Sequence, residues 1–235
     1  MTTDSAYLAG MDESGKGDLF GSPVCATVVA DQQTLDQLRG IGVRDSKAVE
    51  EPAELYELEA IIRSNTQVHL RTLTMARYNE LMAKPSANLN KLLGWLHAHA
   101  LHDATQTGDV GHALLDQFST RDHVSPYLRK FGVDLTDGFL KQKTHAESET
   151  VVAAASICAR VAYLEQMKAL GQEMGHSLRR GCSREAQVQA GAILNQEGEA
   201  VFCSVTKLHF KCARRLLRAF YAKNIQAASS LRSTP

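Results

Sequence analysis

The stretch ESETVVAAASICARVAYLEQMKAL (147–170) does most to limit what this chain can fold into. It reads as one long helix, and Ala153, Ala154 and Ala155 leave its backbone bare enough to lie close against a sheet. Short apolar runs ahead of it supply the sheet. AYLAGM (6–11) and PVCATVVA (23–30) read as two strands joined by the Gly-rich DESGKGDLFGSP, and VHLRTLTM (68–75), HALLDQF (112–118) and DGFLKQKTHA (137–146) as further strands. EPAELYELEAIIRS (51–64), with Pro52 near its first turn, reads as a helix. So does NLNKLLGWLHAHALHDA (88–104), where Leu89, Leu92, Leu93, Leu96 and Ala100 keep helical spacing. Helical pieces over 183–198 and 206–224 close the chain. Strands early, helices between them and helices at the end predict an α/β sandwich with a helical C-terminal part.

At 235 residues the chain suits one domain, with the helical part starting at about residue 171 and a flexible tail over 227–235. Hydrophobic residues at 44% exclude disorder as the main state. No apolar run approaches the ~18 residues of a membrane span, and the first residues have neither the basic start nor the apolar core of a signal peptide. A cytoplasmic protein with no membrane partner is expected. Five cysteines, with no CxxC pair, predict free thiols rather than a disulfide framework or a zinc site. The net charge of zero divides unevenly. Residues 1–150 hold 14 Lys and Arg against 21 Asp and Glu, whereas residues 151–235 hold 12 against 5. That division fits a polyanion partner together with an acidic metal site, and it equally fits scattered surface charge.

Four acids stand out. Asp12 and Glu13 end an apolar strand beside a Gly-rich turn, a place where site residues gather. Asp116 follows three apolar residues, so it must sit at a strand end or meet a partner; capping a turn would also explain it. Glu147 opens the long helix, where the helix dipole alone favours an acid. If the sheet gathers these ends, four carboxylates face one another and cannot all ionise unaided. Oxygen-only donors suit Mg²⁺ or Mn²⁺, and two such ions can activate water and stabilise a leaving oxygen in phosphodiester cleavage. Gly15, Lys16 and Gly17 offer backbone N–H groups and one cation to a phosphate, without the spacing of a P-loop.

GMDESGKGDLFGSPVCATVV (10–29) resembles the first motif of prokaryotic type 2 ribonucleases H, and its Glu-Ser-Gly-Lys-Gly-Asp is more similar to ribonuclease HIII than to ribonuclease HII. VRDSKAV (43–49), SANLNKLLGWLHAHAL (86–101), LLDQF (114–118), THAESETVVAAASICARVAYL (144–164), SLRRGCS (177–183) and TKLHFK (206–211) resemble later motifs of the same family, in order. The resemblance implies a ribonuclease H-like mixed sheet flanked by helices. It implies endonucleolytic cleavage of the RNA strand of RNA–DNA hybrids to 5′-phosphate and 3′-hydroxyl ends, with two Mg²⁺ or Mn²⁺ ions when substrate is bound. Asp12, Glu13, Asp116 and Glu147 fall on the family's catalytic, metal-binding acids. Gly15, Lys16 and Gly17 fall on the loop at the scissile ribonucleotide, and Ser46 and Lys47 on a motif near the substrate backbone. Two departures follow. His145 stands where the family has Lys. The first motif begins at residue 10, so the N-terminal hybrid-binding domain typical of ribonuclease HIII is expected to be missing.

A monomer is expected. The C-terminal cations Lys207, Lys211, Arg214, Arg215, Arg218 and Lys223 read as one helix face, either tracking phosphates or simply solvated. Two other readings remain open at this point: a non-catalytic nucleic-acid-binding protein of the same fold, and a small-molecule phosphotransferase using the Gly-Lys-Gly loop.

Overall fold

The computed structural model describes residues 7–44, 49 and 51–232, and the chain forms two compact units. The first comprises residues 1–16, 23–72 and 88–165; the second comprises 17–22, 73–87 and 166–235.

The first unit is built on a five-stranded sheet: β1 (Tyr7–Ser14), β2 (Val24–Ala30), β3 (Gln67–Arg71), β4 (Val110–Asp116) and β5 (Leu140–Lys143). Its order is β3-β2-β1-β4-β5. β1–β2 and β2–β3 are antiparallel, while β1–β4 and β4–β5 are parallel. β1 is therefore the central strand, and it pairs in both senses.

Side chains alternate across a strand, so each face has its own helices. On one face Ala26, Val28 and Ala30 of β2 pack with α1 (Gln32–Gly40), α2 (Pro52–Asn65) and the start of α6 (Thr150–Glu173). On the other, Ala9 and Met11 of β1 and Ala113 and Leu115 of β4 pack with α4 (Leu89–Thr107) and α5 (Ser125–Lys130). Every residue of β2 is buried, as a strand covered on both faces requires.

The small residues of α6 behave as the sequence predicts. Val151 through Ala155 are all buried. The helix lies so close to β1 that a Cβ on Gly10 would stand 2.2 Å from the Val151 carbonyl oxygen.

The second unit is helical: α3 (Met75–Met82), the end of α6, α7 (Arg184–Gln196), α8 (Glu199–Val205) and α9 (Lys211–Arg232). Its core includes Leu19, Phe20, Tyr78, Ile193 and Phe202. Of the expected tail, the backbone is helical to Arg232 and residues 233–235 lie outside the described residues.

Several elements differ from the sequence reading. α1, α3 and α5 are additional helices. β3 ends at Arg71, and Thr74 caps the new helix by accepting from the Arg77 N–H, so the strand expected to reach residue 75 is cut short. The strand expected over 137–146 shrinks to Leu140–Lys143 between two 3-10 turns, Thr136–Gly138 and Ala146–Ser148. Glu147 lies in the second turn and does not open α6. The bend ahead of it needs a left-handed His145, with φ 57°.

Lys207 is the plainest correction. It precedes α9 and is fully buried, with Nζ donating to the carbonyls of Asp18 (2.6 Å) and Phe20 (3.2 Å). It is an internal anchor, not a surface cation. Lys211, Arg214, Arg215 and Arg218 do lie exposed on α9.

Candidate active site

Parallel pairing of β1 with β4 sets Met11 opposite Leu115, so the next residues, Asp12 and Asp116, lie on the same face; Asp116 ends β4, whereas β1, expected to end at Met11, runs on through Asp12 and Glu13 to Ser14. Asp12 shares the parity of Leu8 and Gly10 and faces α6, where the Ser156 side chain hydrogen-bonds it. Its Oδ1 also accepts the Glu13 N–H at 2.7 Å. Asp116 Oδ1 accepts the Ala146 N–H at 3.0 Å, which ties the end of β4 to the turn carrying Glu147. Glu147 stands close enough for its charge to help raise the Asp116 carboxyl. Asp12, Asp116 and Glu147 are thus carried by β1, the end of β4 and one turn.

Burial pushes Asp12 up to about 7, helped by the charges of Glu13 and Asp116 and opposed by Ser156 and the Glu13 N–H. Burial also raises Asp116, with Glu147 and Glu13 adding to the rise against the Ala146 N–H. Proton retention is how a cluster of like charges relieves itself. A divalent cation would do the same with oxygen donors of this kind, so the donor set fits Mg²⁺ or Mn²⁺. Among the described residues, no three His, Cys, Asp or Glu side chains are already gathered at metal-binding distance. The acids form an open set of donors, not a closed cage.

Glu13 differs. Strand parity turns it to the α4 face, where both its oxygens are taken. Lys16 Nζ donates to Oε1 at 2.8 Å, and His97 Nε2 lies 3.0 Å from Oε2. Burial alone would raise the Glu13 carboxyl, but the hydrogen bond and charge of His97, joined by Lys16, hold it below its usual range. His97 is completely buried and stacks on Phe118 with ring centroids 5.4 Å apart and planes 17° apart. The sequence reading did not single it out. Its signal was a histidine next to Leu96 on the apolar stripe of α4, where periodicity calls for a hydrophobic side chain.

Gly15 has φ +82°, and a Cβ there would stand 2.4 Å from the Tyr163 ring, so only glycine fits. Lys16 is half exposed and lies 6.0 Å from the centre of the Phe118 ring. Gly17 is exposed, with open space where a Cβ would be. Ser46 and Lys47 lie outside the described residues.

The family model for ribonuclease HII matches residues 9–213. The ribonuclease HIII of Chlamydia caviae is 38% identical over 206 residues, covering 86% of this chain and 67% of that protein. The ribonuclease HIII of Protochlamydia amoebophila is 32% identical over 208 residues, covering 88% and 67%. This chain thus spans about two thirds of the length of these relatives. Among solved structures, Bst-RNase HIII in complex with Mn²⁺ superposes with a TM-score of 0.79 at 27% identity, covering 92% of this chain and 70% of that one. The ribonuclease H-like fold and the ordered motifs agree with these matches: the chain belongs to the ribonuclease HII family, and with it to the type 2 ribonucleases H.

Proposed function

We propose that this ribonuclease cuts the RNA strand of RNA–DNA hybrids by two-metal-ion hydrolysis, leaving 5′-phosphate and 3′-hydroxyl ends, and that residues 1–235 act as a single catalytic domain. The observation that carries this reading is the placing of Asp12 and Asp116 on one face of neighbouring strands, with Asp116 tied through the Ala146 N–H to the turn that carries Glu147. These three would bind the ions. Bound divalent cations would supply charge neutralisation at the phosphate and a more acidic water nucleophile.

The chain's own groups do the rest. Glu13, kept as an anion by two donors, would shape the field at the same strand end. Gly15 and Gly17 would let the backbone approach the scissile ribonucleotide. Lys16 would offer its charge to the adjacent phosphate, and Ser46 and Lys47 would meet the substrate backbone, as the family motif implies. Reading the 2′-hydroxyl is what separates an RNA strand from a DNA strand at one position. The exposed cations of α9 would add sequence-independent affinity.

Three duplexes test the reading, with one strand containing all RNA, four ribonucleotides or one ribonucleotide, each incubated with Mg²⁺ or Mn²⁺. Cleavage of the first two with 3′-hydroxyl products is expected. No cleavage of any duplex with either metal would remove the assignment.

A further inference from the structure

Glu13 is the one acid of the four whose two oxygens are both engaged by cation-capable side chains, and the two partners are unlike. Lys16 is half exposed on a loop. His97 is wholly buried on α4, and Nε2 makes its one hydrogen bond among the described residues, since Nδ1 has no partner there. We propose that His97 is a positioning residue: it fixes the Glu13 carboxylate on the α4 face of β1, next to Asp12. The role rests on the nuclease reading above.

Three observations support it. First, a carboxylate can only accept, so Nε2 is the donor in this contact, and Nδ1 has no partner among the described residues. Burying a polar nitrogen without a partner is unfavourable, and a phenylalanine would fill the stripe without that cost. The contact with Glu13 is the one polar interaction that sets the imidazole apart from an apolar ring. Second, the ring is not free to turn away, because it stacks on Phe118. Third, α4 cannot roll to carry the ring elsewhere. One turn earlier, a Cβ on Gly94 would stand 2.3 Å from the His123 carbonyl oxygen, and Ala98 and Leu101 are packed in the core beneath the sheet. A rigid helix thus presents one donor to a side chain that has three rotatable bonds and a charged neighbour to avoid.

Two variants separate positioning from packing. His97→Phe keeps the ring and removes the donor; His97→Gln removes the ring and keeps a donor near the Nε2 position. With Mg²⁺ and saturating hybrid, His97→Phe is expected to lose about 10–100-fold in kcat, the range for removing a partner that orients a site carboxylate. KM for the hybrid should be unchanged, and the melting temperature should fall, because Glu13 stays buried with Lys16 as its one remaining side-chain partner among the described residues. His97→Gln should recover most of the rate despite weaker packing. Wild-type kcat in His97→Phe, or a His97→Gln no faster than His97→Phe, overturns the proposal.

A readout independent of turnover comes from ¹⁵N-histidine NMR of the substrate-free protein. His97 should show a protonated, hydrogen-bonded Nε2, and Glu13→Ala should shift that signal. An unshifted signal overturns the pairing itself. If the parent protein does not cut hybrids while the Glu13-dependent signal is present, the nuclease reading has failed, and with it the catalytic role of a pair that still exists.

Discussion

Adjacent carboxylates on β1 meet opposite fates. Asp12 points to the α6 face, where burial and the charges of Glu13 and Asp116 push it up to about 7. Glu13 points to the α4 face, where His97 and Lys16 overcome burial and keep its carboxyl low. Both are buried, so depth alone does not set the charge state. The neighbouring strand on one face supplies further acid, and the helix on the other supplies a donor. One residue step along a strand is therefore enough to place adjacent carboxylates in surroundings that shift them in opposite directions.

The largest effect should come from the acid-rich face. Asp116→Asn keeps the shape but removes a charge that ions would need, and hybrid cleavage should fall by at least about 10²-fold, the scale on which one charge-stabilising group acts. Hybrid binding should be retained or improved. Turnover like the parent's with Mg²⁺ would make Asp116 a mere strand-end residue.

Glu147→Gln comes next. Glu147 sits in the 3-10 turn before α6, so a helix-dipole role would cost ~0.3–1 kcal/mol of stability and leave the rate alone. A metal-binding role predicts a collapsed rate with stability unchanged or raised. Rate and melting temperature measured on the same preparation separate the two.

The two faces should also respond oppositely to neutralisation in metal-free protein. Folding raises Asp12 from 3.8 to about 7, so its contribution is favourable at low pH and is lost as pH rises through that window. Asp12→Asn should therefore raise the melting temperature at pH 8 and flatten its fall between pH 5 and 8. Glu13 is lowered from 4.5, so its contribution is present above that value and lost on acidification. Glu13→Gln should lower the melting temperature at pH 8. Shifts of the same sign in both variants would erase the distinction between the faces.

The smallest effect is on α9, in the second unit. Neutralising Lys211, Arg214, Arg215 and Arg218 together should weaken hybrid binding for all sequences equally. The salt slope should drop by about 0.9 for each phosphate no longer neutralised, with little change in rate at saturating hybrid. An unchanged Michaelis constant and slope would mark these cations as solvated surface.

Much of the architecture was legible because it rests on strong local patterns. β2 is a short, largely apolar run with Thr27 as its one polar residue, α4 keeps its 3.6-residue stripe, and the Ala-rich part of α6 asks for a close partner. The missing helices are those with little pattern to read. α1 buries only Leu35 and Leu38, and α5 is six residues long. The four acids were legible as neighbours of apolar runs, but the opposite surroundings of Asp12 and Glu13 were not, since these depend on which helix covers each face. Lys207 defeated local reading for another reason. It looks like one cation among many, and the carbonyls that claim it belong to residues 187 and 189 positions earlier. Long-range partners of that kind leave no trace in a window of neighbouring residues.

Gly10 gives the site a dependence that no charged or polar group reveals. A methyl group there would meet the Val151 carbonyl oxygen at 2.2 Å and the Val152 nitrogen at 2.6 Å, backbone atoms that cannot rotate aside. α6 would have to lift from β1, taking Ser156 away from Asp12 and dragging the turn that holds Glu147. The gap between Asp12 and the turn that carries Glu147 is thus gauged by an atom the chain does without. A search for inactivating substitutions confined to polar residues would pass over it, while Gly10→Ala would blunt the acids without touching one of them.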